Sequence, residues 1–176
     1  MSPEWLLNGA TKDRQSVTPE WKLVDQLLIH GVQLKAVKHI AKAGGYLTEL
    51  FRRDWFIDGE VEQVFQNVMF PGAISAWHAH DFTTDRLFAT DGQIQIVLYD
   101  ARVGSPTYGL LNQFNVGPAN PLLVIVPPRV WHGVHALGCQ NSTLVNIVDR
   151  AYCYESPDHW RLPQNSSAIP YRFVSE

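Results

Sequence analysis

Two histidines one residue apart, His78 and His80, stand in the stretch 72-GAISAWHAHDFTTDRLFATDG-92, and Asp85 follows shortly after them. On an extended strand, side chains alternate between faces, so both rings project from the same one. A third histidine, His132, comes after the proline turn 126-VPPRV-130. Neutral imidazole nitrogens and a carboxylate oxygen suit a divalent transition metal. The same imidazoles, with an ordinary pKa near neutrality, suit the taking and returning of a proton. A plainer alternative is that they are hydrogen-bonded interior residues.

The elements that must position these groups read as β. The run 31–40 alternates Val32, Leu34 and Ala36 on one face, and further strands are expected at 46–55, 61–70, 73–80, 86–90, 93–102, 121–128, 130–137 and 142–149. Turn signals recur about every 8–12 residues. They include Gly44-Gly45, Pro71-Gly72 and Asp91-Gly92, the last read as a hairpin turn. Strand after strand with no long helix between predicts an antiparallel sandwich or barrel. Ahead of it, 2-SPEW-5 and 18-TPEW-21 each offer a hydroxyl N-cap, a proline at the first helical position and an acid in the first turn. Short helices are therefore expected at about 3–8 and 19–28. The expected organisation is an N-terminal arm over 1–29, a barrel over 30–155 and a wrapping tail over 156–176. Strand parity turns Trp77 away from His78, and both Trp131 and His135 away from His132. Trp55 reads as a strand-end residue, and Asp158, His159 and Arg161 in the tail read as solvated charges.

Composition narrows the classes. The chain has 176 residues, 45% apolar and 18% charged, which suits one folded domain with a real core. Its net charge of −3 and pI of about 6.1 leave no basic footprint for nucleic acid or an anionic membrane. No apolar run approaches the roughly 20 residues that a membrane helix needs. The N-terminal residues carry no secretion signal, so a cytoplasmic protein is expected. Cys139 and Cys153 make neither a metal pair nor a disulfide framework, and each is expected as a partly buried, inert thiol.

The spacing Gly72, His78, His80, Asp85, Gly92 resembles the first cupin motif, with aspartate at the usual glutamate. Pro127 and His132 resemble the second, with Arg129 at its glycine and Ala136 at its asparagine. The resemblance implies an all-β, cupin-type double-sheet jelly-roll barrel, here with short N-terminal helices. It also implies a metal set of His78, His80, Asp85 and His132 for Fe, Mn, Ni or Zn.

A longer resemblance, from about His30 to Phe173, is to the dTDP-4-dehydrorhamnose 3,5-epimerase family. It is carried by 45-GYLTELFRRDW-55, 98-LYDARVGSPTYG-109, 126-VPPRVWHGV-134 and 165-NSSAIPYRF-173. Residues 76-AWHAH-80 occupy the place of the family's R-G-L-H-Y-Q, which puts His78 on the catalytic base. The resemblance implies proton transfer beside the ketone of a nucleotide-activated 4-keto-6-deoxy sugar, with no cofactor. It implies His132 and Arg86 as oxyanion stabilisers, and Glu49 and Gln63 as substrate contacts, to which His80 and Asn146 are added. Asp85, a hairpin away from His78, is the candidate to orient that ring. The family's dimers imply a homodimer, with segment 30–55 exchanged between subunits. The chain departs from the pattern in several places. Val145 or Asn146 falls on the proton-donating tyrosine, Gly44 and Ser75 fall on two arginines, and no residue up to Glu176 matches the family's C-terminal orienting aspartate. A metal-dependent cupin enzyme and a non-catalytic sugar-binding barrel are the alternatives.

Overall fold

The structure, a computed structural model, describes residues 5–21, 24, 26–55 and 60–174. In chain order the strands are β1 (Gln33–Ala36), β2 (His39–Lys42), β3 (Gly45–Thr48), β4 (Gln63–Met69), β5 (Ile74–Ala79) and β6 (Asp85–Asp91). They continue with β7 (Gln93–Tyr99), β8 (Leu111–Val116), β9 (Leu122–Val126), β10 (Trp131–Leu137), β11 (Ser142–Val148) and β12 (Trp160–Arg161). Two five-stranded sheets have the orders β1-β9-β6-β11-β4 and β12-β5-β10-β7-β8, and β2-β3 forms a separate hairpin. Each of these pairings is antiparallel. From β4 onward every connection except β7–β8 crosses from one sheet to the other, which makes the expected jelly-roll barrel.

That alternation corrects the reading of Asp91-Gly92. The turn is no hairpin, because β6 pairs with β9 and β11 whereas β7 pairs with β8 and β10. It is a tight corner between the sheets. Gly92 has φ of 68°, and a Cβ there would lie 2.3 Å from Ser142 Oγ, so both conformation and space require glycine. The expected 31–40 strand divides into β1 and β2, with the Val37 N–H turned aside to the carbonyl of Pro121 at 2.9 Å. The expected 46–55 strand stops at Thr48 and ends in a 3-10 turn at Arg53–Trp55. β8 was not foreseen. Its inward Asn112 interrupts the apolar pattern, but that side chain accepts from Ile29 N–H at 2.9 Å and donates to the Leu27 carbonyl at 2.8 Å.

The short N-terminal helices do not form among the described residues of 3–8 and 19–28, where the backbone makes only turns and irregular stretches. Residues 3, 4, 22, 23 and 25 of those expectations lie outside the described residues. Cap chemistry alone does not hold a short helix in water, and among the described residues of these segments only the end at Leu28 packs on the core. Trp5, Leu7 and Trp21 are 78%, 83% and 87% exposed. Cys139 and Cys153 are both exposed, not partly buried. Among the described residues, no helix is long and apolar enough to cross a membrane.

Between the sheets lies an apolar core that includes Ile94, Ile96 and Leu98 of β7, Phe114 and Val116 of β8, Val124 and Val126 of β9, and Leu144 of β11. Each such side chain stabilises the fold by about 1.5–3 kcal/mol on full burial. A second cluster lies outside the β5–β10 face, where Trp77 and Val97 pack under Ile169 and Phe173 of the tail. Trp77 is fully buried there and His135 meets Phe173 edge-on at 6.2 Å, as strand parity requires. Gly133 makes this close approach possible, because a Cβ would sit 2.5 Å from that of Ala76 and 2.9 Å from the Phe173 ring.

The SPTYG stretch is accounted for by Asp100, a wholly buried carboxylate. It accepts from Arg102 Nε at 2.8 Å and Nη2 at 2.9 Å, from Ser105 Oγ at 2.6 Å and from Thr107 Oγ1 at 2.7 Å. Burial acts to raise its pKa, but these donors more than offset that and hold it well below the usual carboxylate range. Arg102 and Thr107 in turn clasp the carbonyl and N–H of His30, fixing the start of the barrel. Asp100→Ala is expected to cost about 3 kcal/mol in urea unfolding, the scale for stranding one partner of a buried pair. A loss under about 1 kcal/mol would show that water replaces the carboxylate.

Candidate active site

One end of the barrel interior is polar. Inward positions of β5, β6, β10 and β11 that would otherwise carry aliphatic side chains carry His78, Asp85, His132 and Asn146, with His80 just past the end of β5. β5 and β10 pair with His132 opposite His78, and the two rings are 4.0 Å apart, edge to face. A cavity of about 660 Å³ opens onto this end, lined among others by His78, His80, Asp85, Asn146, Tyr152 and His159.

Asp85 is the hub. Its Oδ2 lies 3.3 Å from His80 Nε2 and 3.1 Å from His132 Nε2. Its Oδ1 accepts from Asn146 Nδ2 at 2.7 Å, and Asn146 Oδ1 accepts from the Arg86 N–H at 3.1 Å. Burial acts to raise the Asp85 pKa, yet the two imidazoles win and hold it well below the usual range. For His80, burial acts to lower the pKa, but Asp85 and the Asp158 carbonyl raise it above the ordinary histidine value. His78 differs. Burial, followed by the neighbouring His132, pushes its pKa well down, and its Nδ1 is buried without a hydrogen-bond partner.

The expected orienting contact from Asp85 to His78 is not made, because the carboxylate is taken up by His80, His132 and Asn146. The four-ligand metal set does not converge on one point either. Ligand atoms gather as His80, Asp85 and His132 on one side and His78, His80 and His159 on the other. Arg86 does not line the cavity. Strand alternation sends it to the outer face, where its guanidinium lies 5.5 Å over the Phe51 ring and Nη1 donates to the Ile147 carbonyl at 3.4 Å. Glu49 is also elsewhere within this chain, paired with Arg52 at 3.3 Å in a separate cavity of about 440 Å³ beside Lys35 and Trp55. Gln63 lines the main cavity, and its Oε1 accepts from the Tyr152 N–H at 2.9 Å. Asn146 serves as a brace for Asp85.

Sequence reasoning missed the tail's part. β12 pairs with β5, setting Trp160 against Ala79 and Arg161 against His78. This puts His159 in the cavity, its ring 5.3 Å from His78 and 4.7 Å from His80. Burial, then the charges of His80 and Arg161, lower the His159 pKa to about 4, so the ring is neutral near pH 7. Asp158 is no solvated charge. Its carboxylate accepts from the N–H groups of Asp81, Phe82 and Thr83 at 2.7, 2.9 and 3.0 Å and from Thr83 Oγ1 at 2.9 Å. Its carbonyl accepts from His80 Nδ1. The signal available in sequence was Asp158-His159 placed directly before a Trp-Arg pair able to add an edge strand.

Fold and site together define a cupin-type barrel whose polar end holds four histidines, two of them on the buried Asp85 carboxylate. The family model of dTDP-4-dehydrorhamnose 3,5-epimerase matches residues 26–176. A probable low-salt glycan biosynthesis epimerase, Agl13, of Haloferax volcanii is 35% identical over 137 residues, covering 77% of this chain and 88% of that protein. The spore coat polysaccharide biosynthesis protein SpsL of Bacillus subtilis is 31% identical over 149 residues, covering 85% and 99%. A crystal structure of a dTDP sugar isomerase from Desulfovibrio desulfuricans superposes with a TM-score of 0.77 at 30% identity, covering 83% of this chain and 94% of that one. The chain belongs to the dTDP-4-dehydrorhamnose 3,5-epimerase family, and it is an isomerase of the sugar-epimerase class.

Proposed function

We propose that the protein moves a proton beside the C4 ketone of a nucleotide-activated 4-keto-6-deoxy sugar, with His78 as base, in the making of a glycan or polysaccharide. The observation that carries this reading is the state of His78. A buried imidazole whose pKa is pushed down stays neutral near pH 7, and its Nδ1 has no competing partner. A ketone acidifies the C–H bonds on C3 and C5, and a neutral imidazole accepts one such proton. The pair of electrons left behind moves onto the ketone oxygen as an enolate, which the His80 side of the cavity stabilises, with His132 buried behind it. The far wall must return the proton. Tyr152, which lines the cavity from the loop after β11, is the hydroxyl that serves there in place of the family's tyrosine. The reaction written this way calls for no cofactor. A cytoplasmic location, expected from the sequence, belongs to the same proposal.

Incubating the protein in D₂O with a 4-keto-6-deoxy nucleotide sugar should place deuterium on C3 or C5, read by mass spectrometry. A substrate that stays fully protonated at both carbons would sink the reading. We also propose a homodimer. β4 is an edge strand with Val64, Phe65 and Val68 exposed, and the β2–β3 hairpin exposes Ile40, Tyr46 and Leu47. Light scattering at micromolar concentration should give twice the chain mass, and a monomer would count against it.

A further inference from the structure

Inversion at a carbon beside a ketone needs a base on one face of the sugar and an acid on the other. The two sheets supply one each. His78 stands on β5 of one sheet, and Tyr152 follows β11 of the other, with both side chains lining the same cavity. A strand fixes His78. Tyr152 lies on a loop, where ladder hydrogen bonds do not set its place. Every residue from 150 to 157 is exposed, so burial does little to hold this loop either.

Side chains take over where the ladder stops. The β4–β11 pairing ends at Gln63 and Val148, with a last bond from the Glu62 N–H to the Val148 carbonyl at 3.0 Å. Just beyond, Asp149 Oδ1 accepts from the Thr84 N–H at 2.8 Å and ties the exit of β11 to the chain entering β6. Glu62 Oε2 then accepts from the Ala151 N–H at 2.8 Å, and Gln63 Oε1 from the Tyr152 N–H at 2.9 Å. Two neighbouring residues of the edge strand β4 and its approach thus hold two consecutive N–H groups of the loop. Bonds on consecutive peptide units fix the direction of the backbone as well as its position, and with it the Cα–Cβ bond of Tyr152. The Tyr154 ring, 5.4 Å away and edge-on, flanks that of Tyr152. Gln63, which the resemblance implies as a substrate contact, has its oxygen engaged with the loop instead.

We infer that Glu62 and Gln63 are positioning residues for Tyr152, a clamp that holds the acid opposite His78 and selects inversion over simple exchange. The role of the clamp rests on the proposed proton-transfer reading, with Tyr152 as the acid. Once His78 has taken the C–H proton, the carbon can be reprotonated from either face. From Tyr152, the O–H bond breaks as the new C–H bond forms, the enolate electron pair returns from oxygen to carbon, and the configuration inverts. The tyrosinate recovers a proton from solvent while the His78 imidazolium gives one up, so no net proton is gained. From His78, the proton returns to the face it left. In D₂O a deuteron exchanged onto the ring returns the same way, with retention. Displacing a catalytic group by about 1 Å can cost about 10²-fold in its step, and the base step does not pass through the clamp.

The test incubates the full chain with a 4-keto-6-deoxy nucleotide sugar in D₂O under initial-rate conditions. Mass spectrometry reads deuterium wash-in, and chromatographic separation of the epimers reads inversion. Replacing both residues, Glu62→Ala with Gln63→Leu, should lower the ratio of inversion to wash-in by at least about tenfold. Tyr152→Phe should do the same. Glu62→Gln with Gln63→Glu, which keeps an acceptor oxygen at both places, should restore the ratio to within about threefold, and thermal melts check that every variant is folded. An unchanged ratio in the Ala/Leu variant overturns the inference, as does a parallel fall of wash-in and inversion, the result of a general loosening. If Tyr152→Phe lowers the ratio and the Ala/Leu variant does not, only the clamp falls. If the wild type shows no wash-in, the proton-transfer reading falls and takes the clamp with it. If Tyr152→Phe inverts normally, the acid is another group and the clamp falls with that assignment.

Discussion

His78→Asn is expected to lower the rate of deuterium wash-in by about 10²–10⁴-fold, the usual contribution of a positioned general base. Asparagine keeps a polar side chain of similar reach but has no basic nitrogen, so the loss should fall on kcat and leave KM within a few fold. Stability should change modestly, because the lost ring contacts are edge-to-face pairs with His132 at 4.0 Å, His159 at 5.3 Å and His80 at 6.0 Å, in a cavity that is already polar. A thermal melt of the variant checks that the barrel is intact. If exchange persists within about tenfold of the wild-type rate, the base is another group, and His159, also a neutral imidazole in the cavity, becomes the first to test.

The legible part of this protein was what strand alternation controls. The same-face placement of His78 and His80, the outward turn of Trp77 and the barrel class all follow from a period of two residues, and all are present in the structure. The same rule, applied one residue further, would have corrected Arg86. With Asp85 inward, its neighbour on β6 has to face out, against the oxyanion-stabilising role that the family resemblance implied for Arg86. Less legible were features set by chain crossings. Asp91-Gly92 has hairpin composition, and only the sheet order shows that it turns a corner between layers. Least legible was the tail. Two residues of β12 carry no periodic signal, and Asp158 and His159 acquire their roles only from N–H groups and rings far away in sequence, at 81–83 and 78–80. No local rule predicts a carboxylate that finds three consecutive N–H groups some 75 to 77 residues earlier.

Asp158→Ala is expected to unlatch that tail and lower kcat/KM by about 30- to 100-fold. The carboxylate holds the 81–83 turn by four hydrogen bonds and sets the carbonyl that orients His80. Charge-assisted bonds of this kind contribute about 1.5–3 kcal/mol each when buried. Here the turn is partly open, with Phe82 58% exposed, so water recovers most of that total. A net loss of about 2–3 kcal/mol in holding the strap converts to the stated rate change at about 1.4 kcal/mol per tenfold. The loss should be shared between KM and kcat, because the strap carries Arg161 at the cavity wall as well as His159 beside His78. Hydrogen exchange gives a readout that a change in bulk stability would not mimic. The amides of Asp81, Phe82 and Thr83 should lose protection, while those of Trp77 and Leu162, bonded to each other's carbonyls at 3.1 Å, keep most of theirs. Asp158→Asn, which keeps an acceptor oxygen without the charge, should fall between wild type and alanine on both measures. If alanine leaves the 81–83 amides protected and KM and kcat unchanged, the Trp77–Leu162 pair and the packing of Ile169 and Phe173 hold the strap on their own, and Asp158 is no latch.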